Sequence, residues 1–139
     1  MEIMELELGY LNKLTQQFIF ISAFLGGFTA TIVGTLIVSD IRSKYYRIMV
    51  VTSTLASICF VVCLFAMTTI LFLTTPGYPL EFDVSKLILN RFIGFIAFML
   101  GLLSFLICIA SSGWLVSKKI GWFTTILGII AFVLIILMT

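Results

Sequence analysis

The sequence predicts an all-α integral membrane protein with four transmembrane helices, assembled as a symmetric homo-oligomer. Of its 139 residues, 62% are hydrophobic and only 10% are charged, whereas a soluble domain carries about 25% charged residues. The charged residues leave four uncharged segments, of 26, 33, 26 and 20 residues, at 14–39, 48–80, 92–117 and 120–139. Each is long enough for a helix of about 20 apolar residues, which crosses a bilayer core. This composition excludes a water-soluble globular protein, a disordered tail and a nucleic-acid binder.

The chain is predicted to be one transmembrane domain, residues 1–139, with spans at about 18–38, 48–72, 92–110 and 121–138. The acidic segment 1–17 is expected to extend the first helix, to lie in the membrane interface or to fray. The only prolines, Pro76 and Pro79, mark a turn between the second and third spans. The tyrosines and tryptophans fall near span ends, where amphipathic rings suit the headgroup zone: Tyr10, Tyr45, Tyr46, Tyr78, Trp114 and Trp122.

Basic residues predict the orientation, because cytoplasmic loops are enriched in Lys and Arg. Loops 39–47 and 111–120 together carry five basic residues: Arg42, Lys44, Arg47, Lys118 and Lys119. The other side carries three, Lys13, Lys86 and Arg91, accompanied by five acidic residues. We therefore expect both loops in the cytoplasm and both termini outside a plasma membrane, the bacterial inner membrane. The five basic residues serve as topology signals and headgroup contacts.

Catalytic chemistry is not expected from this sequence. It contains no histidine, no paired acids within a span and no phosphate-binding loop, so we predict no enzyme activity and no cofactor. Cys59 and Cys63 are four residues apart and could offer thiolates to a metal, with Cys108 as a third ligand. Buried cysteine more often behaves as a small hydrophobe, so no metal site is predicted.

Small residues form stripes on three spans, and such stripes let helices in lipid pack closely. The third span has the longest stripe, with Asn90, Gly94, Ala97, Gly101, Ser104, Cys108 and Ser111. The second span repeats it with Thr52, Ala56, Cys59, Cys63, Ala66 and Thr69. The fourth has a short version: Gly121, Thr124, Gly128 and Ala131. We expect the second and third spans to pack closely, within one chain or across subunits, and the fourth to lie outermost against lipid.

The first span divides into a small, partly hydroxylated sector and a bulky one. The small sector contains Gln16, Phe20, Ala23, Gly27, Ala30, Thr31, Gly34, Thr35 and Val38. The opposite sector contains Phe18, Ile21, Leu25, Phe28, Ile32 and Leu36, with Thr29 as an exception. The small sector permits tight helix packing. Alternatively it lines a pore on the axis of a ring of subunits, where Phe20 and Val38 would act as hydrophobic gates.

Two segments resemble a known family. SAFLGGFTA at residues 22–30 resembles the first span of Orai-type calcium channel subunits, and LFAM at residues 64–67 resembles part of their second span. This resemblance implies a four-helix subunit whose first helix lines the central pore of a hexamer. The family's pore acid would fall near Thr35, which is uncharged, so calcium selectivity is not implied. The family's basic stretch before the first span is absent here, and its termini are cytoplasmic.

The basic loop 39–47 after a span rich in Gly and Thr is also similar in kind to the small four-span membrane protein of the Rex phage-exclusion system. The activity that this resemblance implies is depolarisation of cells.

The sequence therefore favours an oligomeric ion channel or pore-forming protein with the first span at the axis. The alternative is a structural or accessory membrane subunit that binds a partner membrane protein through its small-residue faces. A lipid-binding or lipid-scrambling protein is a third possibility, with the basic cluster at Arg42, Lys44 and Arg47 touching anionic headgroups. The expected partners are the bilayer, further copies of the chain and a permeating ion, with no nucleic acid.

Overall fold

The computed structural model describes residues 2–40, 43–75 and 84–138, and places side chains for 9–40, 43–75 and 85–137. These residues form four helices: α1 (Glu2–Val38), α2 (Lys44–Thr74), α3 (Val84–Val116) and α4 (Lys118–Met138). All four are long and apolar enough to cross a membrane. The predicted all-α class with four transmembrane-capable helices is therefore confirmed. The turn with Pro76 and Pro79, together with Arg42 and Tyr78, lies outside the described residues.

All four helices are longer than the spans that the sequence predicts. α1 has 37 residues and is about 55 Å long at the α-helical rise, compared with a bilayer core of about 30 Å. It begins at Glu2, so the acidic segment continues the first span as helix.

α2 lies between α1 and α3, and α4 packs against the other side of α3. α1 and α3 also touch each other through phenylalanine rings. The Phe18 and Phe98 centroids are 5.0 Å apart, and those of Phe28 and Phe105 are 6.1 Å apart, both edge to face. Edge-to-face pairs add about 0.5–1.5 kcal/mol beyond their area burial. The described helices therefore run in the order α1–α2–α3–α4, with α1 at one edge.

Glycines bring the backbones of α2 and α3 close together. A Cβ added at Gly101 would lie 3.2 Å from the Cβ of Cys59 and 3.1 Å from Cε1 of Phe60. A Cβ added at Gly94 would lie 2.8 Å from the terminal methyl of Met67. Without a hydrophobic driving force between helices in lipid, this close van der Waals contact holds the two helices together.

Polar contacts fix the corner between α1 and α2. The Ser43 hydroxyl caps α2 by accepting a hydrogen bond from the Tyr46 backbone N–H at 3.1 Å. The Tyr46 hydroxyl donates to the carbonyl of Leu36 near the end of α1. Both contacts hold the two helix ends together across a short connection.

The corner between α3 and α4 is much shorter than the predicted loop 111–120. Ser117 is the one residue there outside a helix, and its hydroxyl accepts from the Ile120 N–H at 3.3 Å. A glycine makes this turn possible, because a Cβ at Gly113 would overlap Thr124 Oγ1 and lie 2.9 Å from the Ile120 carbonyl oxygen. The Trp114 indole N–H donates to Thr125 Oγ1 at 3.1 Å across the same corner.

We predict that Gly113→Ala destabilises the chain by about 1–3 kcal/mol, since the added methyl meets a backbone carbonyl that cannot move alone. The matched control is Gly128→Ala on α4, where a Cβ would lie 3.8 Å from its nearest atoms. The control should be neutral or slightly stabilising, because Ala favours helix over Gly by about 1 kcal/mol. Tryptophan fluorescence during denaturation in sodium dodecyl sulfate measures the unfolding midpoint of both variants. Equal midpoints for the two variants would contradict the tight corner.

Candidate functional site

α1 docks on α2 through a stripe of polar and small residues spaced seven, four and three residues apart, which places them on one face of the helix. Thr15, Ser22, Gly26 and Thr29 are buried. A Cβ added at Gly26 would lie 3.3 Å from the Cβ of Phe60. α1 therefore presents this stripe to α2 and turns its predicted small sector away.

The buried hydroxyls of α1 all have hydrogen-bond partners. Ser22 donates to the sulfur of Cys63 at 3.3 Å. Thr29 donates to the carbonyls of Leu25 and Gly26 at 2.9 and 3.0 Å. Among the residues with described side chains, no buried polar side-chain atom lacks a partner. The α1–α2 contact is thus polar in composition without an unsatisfied group, which would be costly in a membrane.

The small sector of α1 is exposed at every position. We call it the α1 face, and it consists of Gln16, Phe20, Ala23, Gly27, Ala30, Thr31, Gly34, Thr35 and Val38. A Cβ added at Gly27 or Gly34 would meet nothing within 4 Å. Phe20 and Val38, near its two ends, are 74% and 86% exposed. The face is about 33 Å long at the α-helical rise, close to the thickness of a bilayer core.

The polar groups of the α1 face bond to the protein itself. Thr31 donates to the carbonyl of Gly27 at 2.9 Å, and Thr35 donates to that of Ile32 at 2.8 Å. The Gln16 amide donates to the side-chain oxygen of Asn12 at 2.9 Å, and Asn12 donates to Thr74 Oγ1 of α2 at 3.2 Å. The face therefore carries three hydrogen-bonding side chains, all bonded within the protein, and no charge.

The other small-residue stripes lie largely in contacts within the chain. The residues predicted for helix packing are buried, with Cys59 half-buried: Ala56, Cys59, Cys63, Gly94, Ala97, Gly101, Ser104 and Cys108. On α4, Gly121 is buried and Thr124, Gly128 and Ala131 are half-buried. Thr124 donates to the Ala110 carbonyl of α3 at 3.1 Å. The α1 face is thus the predicted stripe that packing within the chain leaves free.

The three cysteines are free thiols placed among packing atoms. Cys63 accepts from Ser22, and the Cys108 thiol donates to the Met49 carbonyl at a sulfur–oxygen distance of 3.8 Å. Among the described residues, no three His, Cys, Asp or Glu side chains are grouped to hold a metal ion. Cys63 and Cys108 serve as small packing residues between helices.

The two predicted basic loops meet at one end of the molecule. The rings of Tyr45 at the start of α2 and Trp114 at the end of α3 stack with centroids 5.5 Å apart. The four described basic residues of these loops, Lys44, Arg47, Lys118 and Lys119, are all exposed. Positive charge and aromatic rings thus share one end, as expected for a membrane–water interface.

Sequence reasoning missed the residues that dock α1. Thr15, Ser22 and Thr29 recur every seven residues, a spacing that indicates one face of a helix. This spacing was overlooked because the small sector on the other side of the helix contains more small residues. Phe60 was also missed. It is fully buried and lies opposite both Gly26 and Gly101.

Fold and site together define a multi-pass membrane protein with four transmembrane-capable helices and one exposed, uncharged small-residue face. In comparisons with protein-family models, curated proteins and solved structures, the chain shows no significant match.

We predict that Ser22→Leu destabilises the chain by about 1–3 kcal/mol, because Ser22 is 1% exposed and the larger side chain would overpack the α1–α2 contact. The control is the adjacent Ala23→Leu, which adds bulk to the α1 face and should leave the unfolding midpoint unchanged. Circular dichroism during detergent denaturation, with the chain dilute in excess detergent, compares them. If Ala23→Leu were the more damaging change, the orientation of α1 would be wrong.

Proposed function

We propose that the protein is a pore-forming membrane subunit, in which the α1 faces of several copies surround a common axis. One observation carries the proposal. The α1 face runs the thickness of a bilayer core, is exposed throughout and remains unused while the other small-residue stripes pack within the chain. Small residues facing lipid forgo the close packing that would hold them against another helix.

Several copies are needed because of where α1 lies. The helices run in the order α1–α2–α3–α4, so α1 is an edge with one uncovered side. A single chain arranged in this way offers one wall of a conduit. Closed cyclic symmetry would place equivalent α1 faces around one axis.

The chemistry of the α1 face suits a narrow, weakly polar conduit. Backbone at Gly27 and Gly34 and hydroxyls at Thr31 and Thr35 can face water, and Phe20 and Val38 would form hydrophobic constrictions near the two ends. The resemblance to Orai-type subunits also implies a first helix at the axis. Thr35, at the position of that family's pore acid, supplies no charge, so the proposal includes no calcium selectivity.

A second candidate is an accessory subunit whose α1 face binds a helix of another membrane protein. The hydroxyls of Thr31 and Thr35 already bond to backbone carbonyls of α1. Both hydroxyl donors of the face therefore already have acceptors, and the face can pack against a partner helix without water between them. This favours a helix contact as much as a water-filled pore, and experiments must separate the two.

We predict that Gly27→Cys forms disulfide-linked dimers in membranes under mild oxidation, because an axial α1 face brings equivalent positions of adjacent copies together. The control is Thr54→Cys, which replaces an exposed residue of α2. Non-reducing electrophoresis should show cross-linked product with Gly27→Cys in large excess over Thr54→Cys. The unmodified chain reports the background from its native thiols. Equal cross-linking at both positions, or none at Gly27→Cys, would count against the axial arrangement.

We also predict that purified protein conducts ions in liposomes, and that Thr31→Trp or Thr35→Trp lowers the flux about tenfold or more by obstructing the conduit. Thr54→Trp is the control for adding an indole elsewhere on the surface, and native mass spectrometry checks that each variant keeps its subunit number. Flux equal to that of protein-free liposomes would reject the pore. Recovery of the wild-type chain in a stable complex with another membrane protein, lost in Thr31→Trp, would then support the accessory subunit.

A further inference from the structure

A groove of about 590 Å³ lies between α1 and α3, with α2 as its floor. It is near the end of the molecule where α2 finishes. Its apolar walls include Leu14 and Phe18 of α1, Met67 and Ile70 of α2, and Ile88 and Phe92 of α3. Its volume lies within the range of about 300–1,000 Å³ that is typical of small-molecule sites.

The lining of the groove contains one charged side chain. Arg91 of α3 is that residue, and Thr15 is the other polar one. The Thr15 hydroxyl donates to the Leu11 carbonyl at 2.7 Å, so it does not need a hydrogen-bond acceptor from a ligand. The groove therefore offers a ligand apolar contact along its length and one positive charge.

Arg91 emerges within the apolar surface of α3. Ile88 and Leu89, on its N-terminal side, are 61% and 58% exposed, so apolar surface continues beyond the guanidinium. The side chains that the structure describes include one carboxylate, that of Asp40, which follows α1 at the opposite end of the molecule. A guanidinium is always charged, and from near the end of a membrane-spanning helix its long side chain can reach the level of the lipid headgroups.

We propose that this groove binds one anionic phospholipid, with an acyl chain between α1 and α3 and the headgroup phosphate on the Arg91 guanidinium. Arginine binds phosphate through two parallel hydrogen bonds. The lining extends over eight residues of α1 and eight of α3, a rise of about 10 Å that suits an extended segment of acyl chain. The bilayer supplies both parts of this ligand in one molecule.

The lipid site does not depend on the proposed pore. At 100° per residue, Leu14 and Phe18 project from the side of α1 opposite to Gly27 and Gly34. The groove and the α1 face can therefore be altered separately, and failure of one proposal leaves the other standing.

The first experiment tests whether Arg91 recognises an anionic headgroup. The purified chain is titrated with phosphatidylglycerol or phosphatidylcholine in mixed micelles, and native mass spectrometry measures the bound lipid. Phosphatidylglycerol should bind more tightly to the wild type. Arg91→Gln should weaken that binding about tenfold, the order expected for losing a hydrogen bond to a charged group. Arg91→Lys should weaken it less, since the charge remains. The control is Lys13→Gln, which removes one positive charge outside the lining of the groove and should leave phosphatidylglycerol binding unchanged.

A matched pair of tryptophan variants tests whether the acyl chain lies in the groove. Ile88→Trp places an indole in the groove, whereas Leu89→Trp adds one to the neighbouring exposed position outside its lining. Phosphatidylglycerol binding should fall about tenfold in Ile88→Trp and persist in Leu89→Trp, since only the first displaces the acyl chain. The proposal is overturned if Arg91→Gln and Ile88→Trp both bind like the wild type. It is equally overturned if Leu89→Trp loses as much binding as Ile88→Trp, or if phosphatidylcholine binds as tightly as phosphatidylglycerol.

Discussion

The close approach of α2 and α3 is the constraint on which the rest of the structure depends. In lipid, apolar side chains gain nothing by leaving the solvent, so helices stay together where their surfaces fit. Gly94 and Gly101 allow this fit, because a Cβ at either position would press on side chains of α2. Phe60 then fills the space opposite Gly101 and also reaches Gly26 of α1. One large buried residue, whose Cβ faces Gly26 and whose ring faces Gly101, thereby sets the position of both neighbours of α2.

The orientation of α1 follows from this centre. α1 meets α2 with Ser22, Gly26 and Thr29, and meets α3 with the rings of Phe18 and Phe28. Phe18, which is half-buried, and Phe28, which is 53% exposed, thus lie in the angle between α1 and α3. The small sector is left outside as a consequence. The contact between α2 and α3 depends on close packing of small residues. The contact between α1 and α3 depends on aromatic rings that fill the space between the two helices.

Much of the fold could be predicted from the sequence. The absence of charge over 14–39, 48–80, 92–117 and 120–139 is a strong signal that fixes the number of helices, and the stripe from Gly94 to Ser111 indicates the buried face of α3. The outward turn of the α1 face could not be predicted, because helix packing and pore lining both require small residues. The single-residue turn at Ser117 could not be predicted either, because it depends on Gly113 lying beside Thr124. These two residues are eleven apart in the sequence. Sequence spacing reports which residues share a face but not which face meets which helix.

The hydroxyls of the α1 face show what distinguishes the two candidate functions physically. Thr31 and Thr35 bond to carbonyls of their own helix, a bond that survives unchanged when a partner helix covers the face in a dry contact. In a water-filled conduit the same hydroxyls can share their bonds with water, and the glycine backbone beside them becomes an additional polar surface. A dry interface needs a surface that complements the small residues along their whole length. A pore needs only the flanking bulky residues to touch, with the small ones left apart. The separation between α1 and the helix that faces it, rather than the composition of the α1 face, therefore distinguishes the two candidate functions.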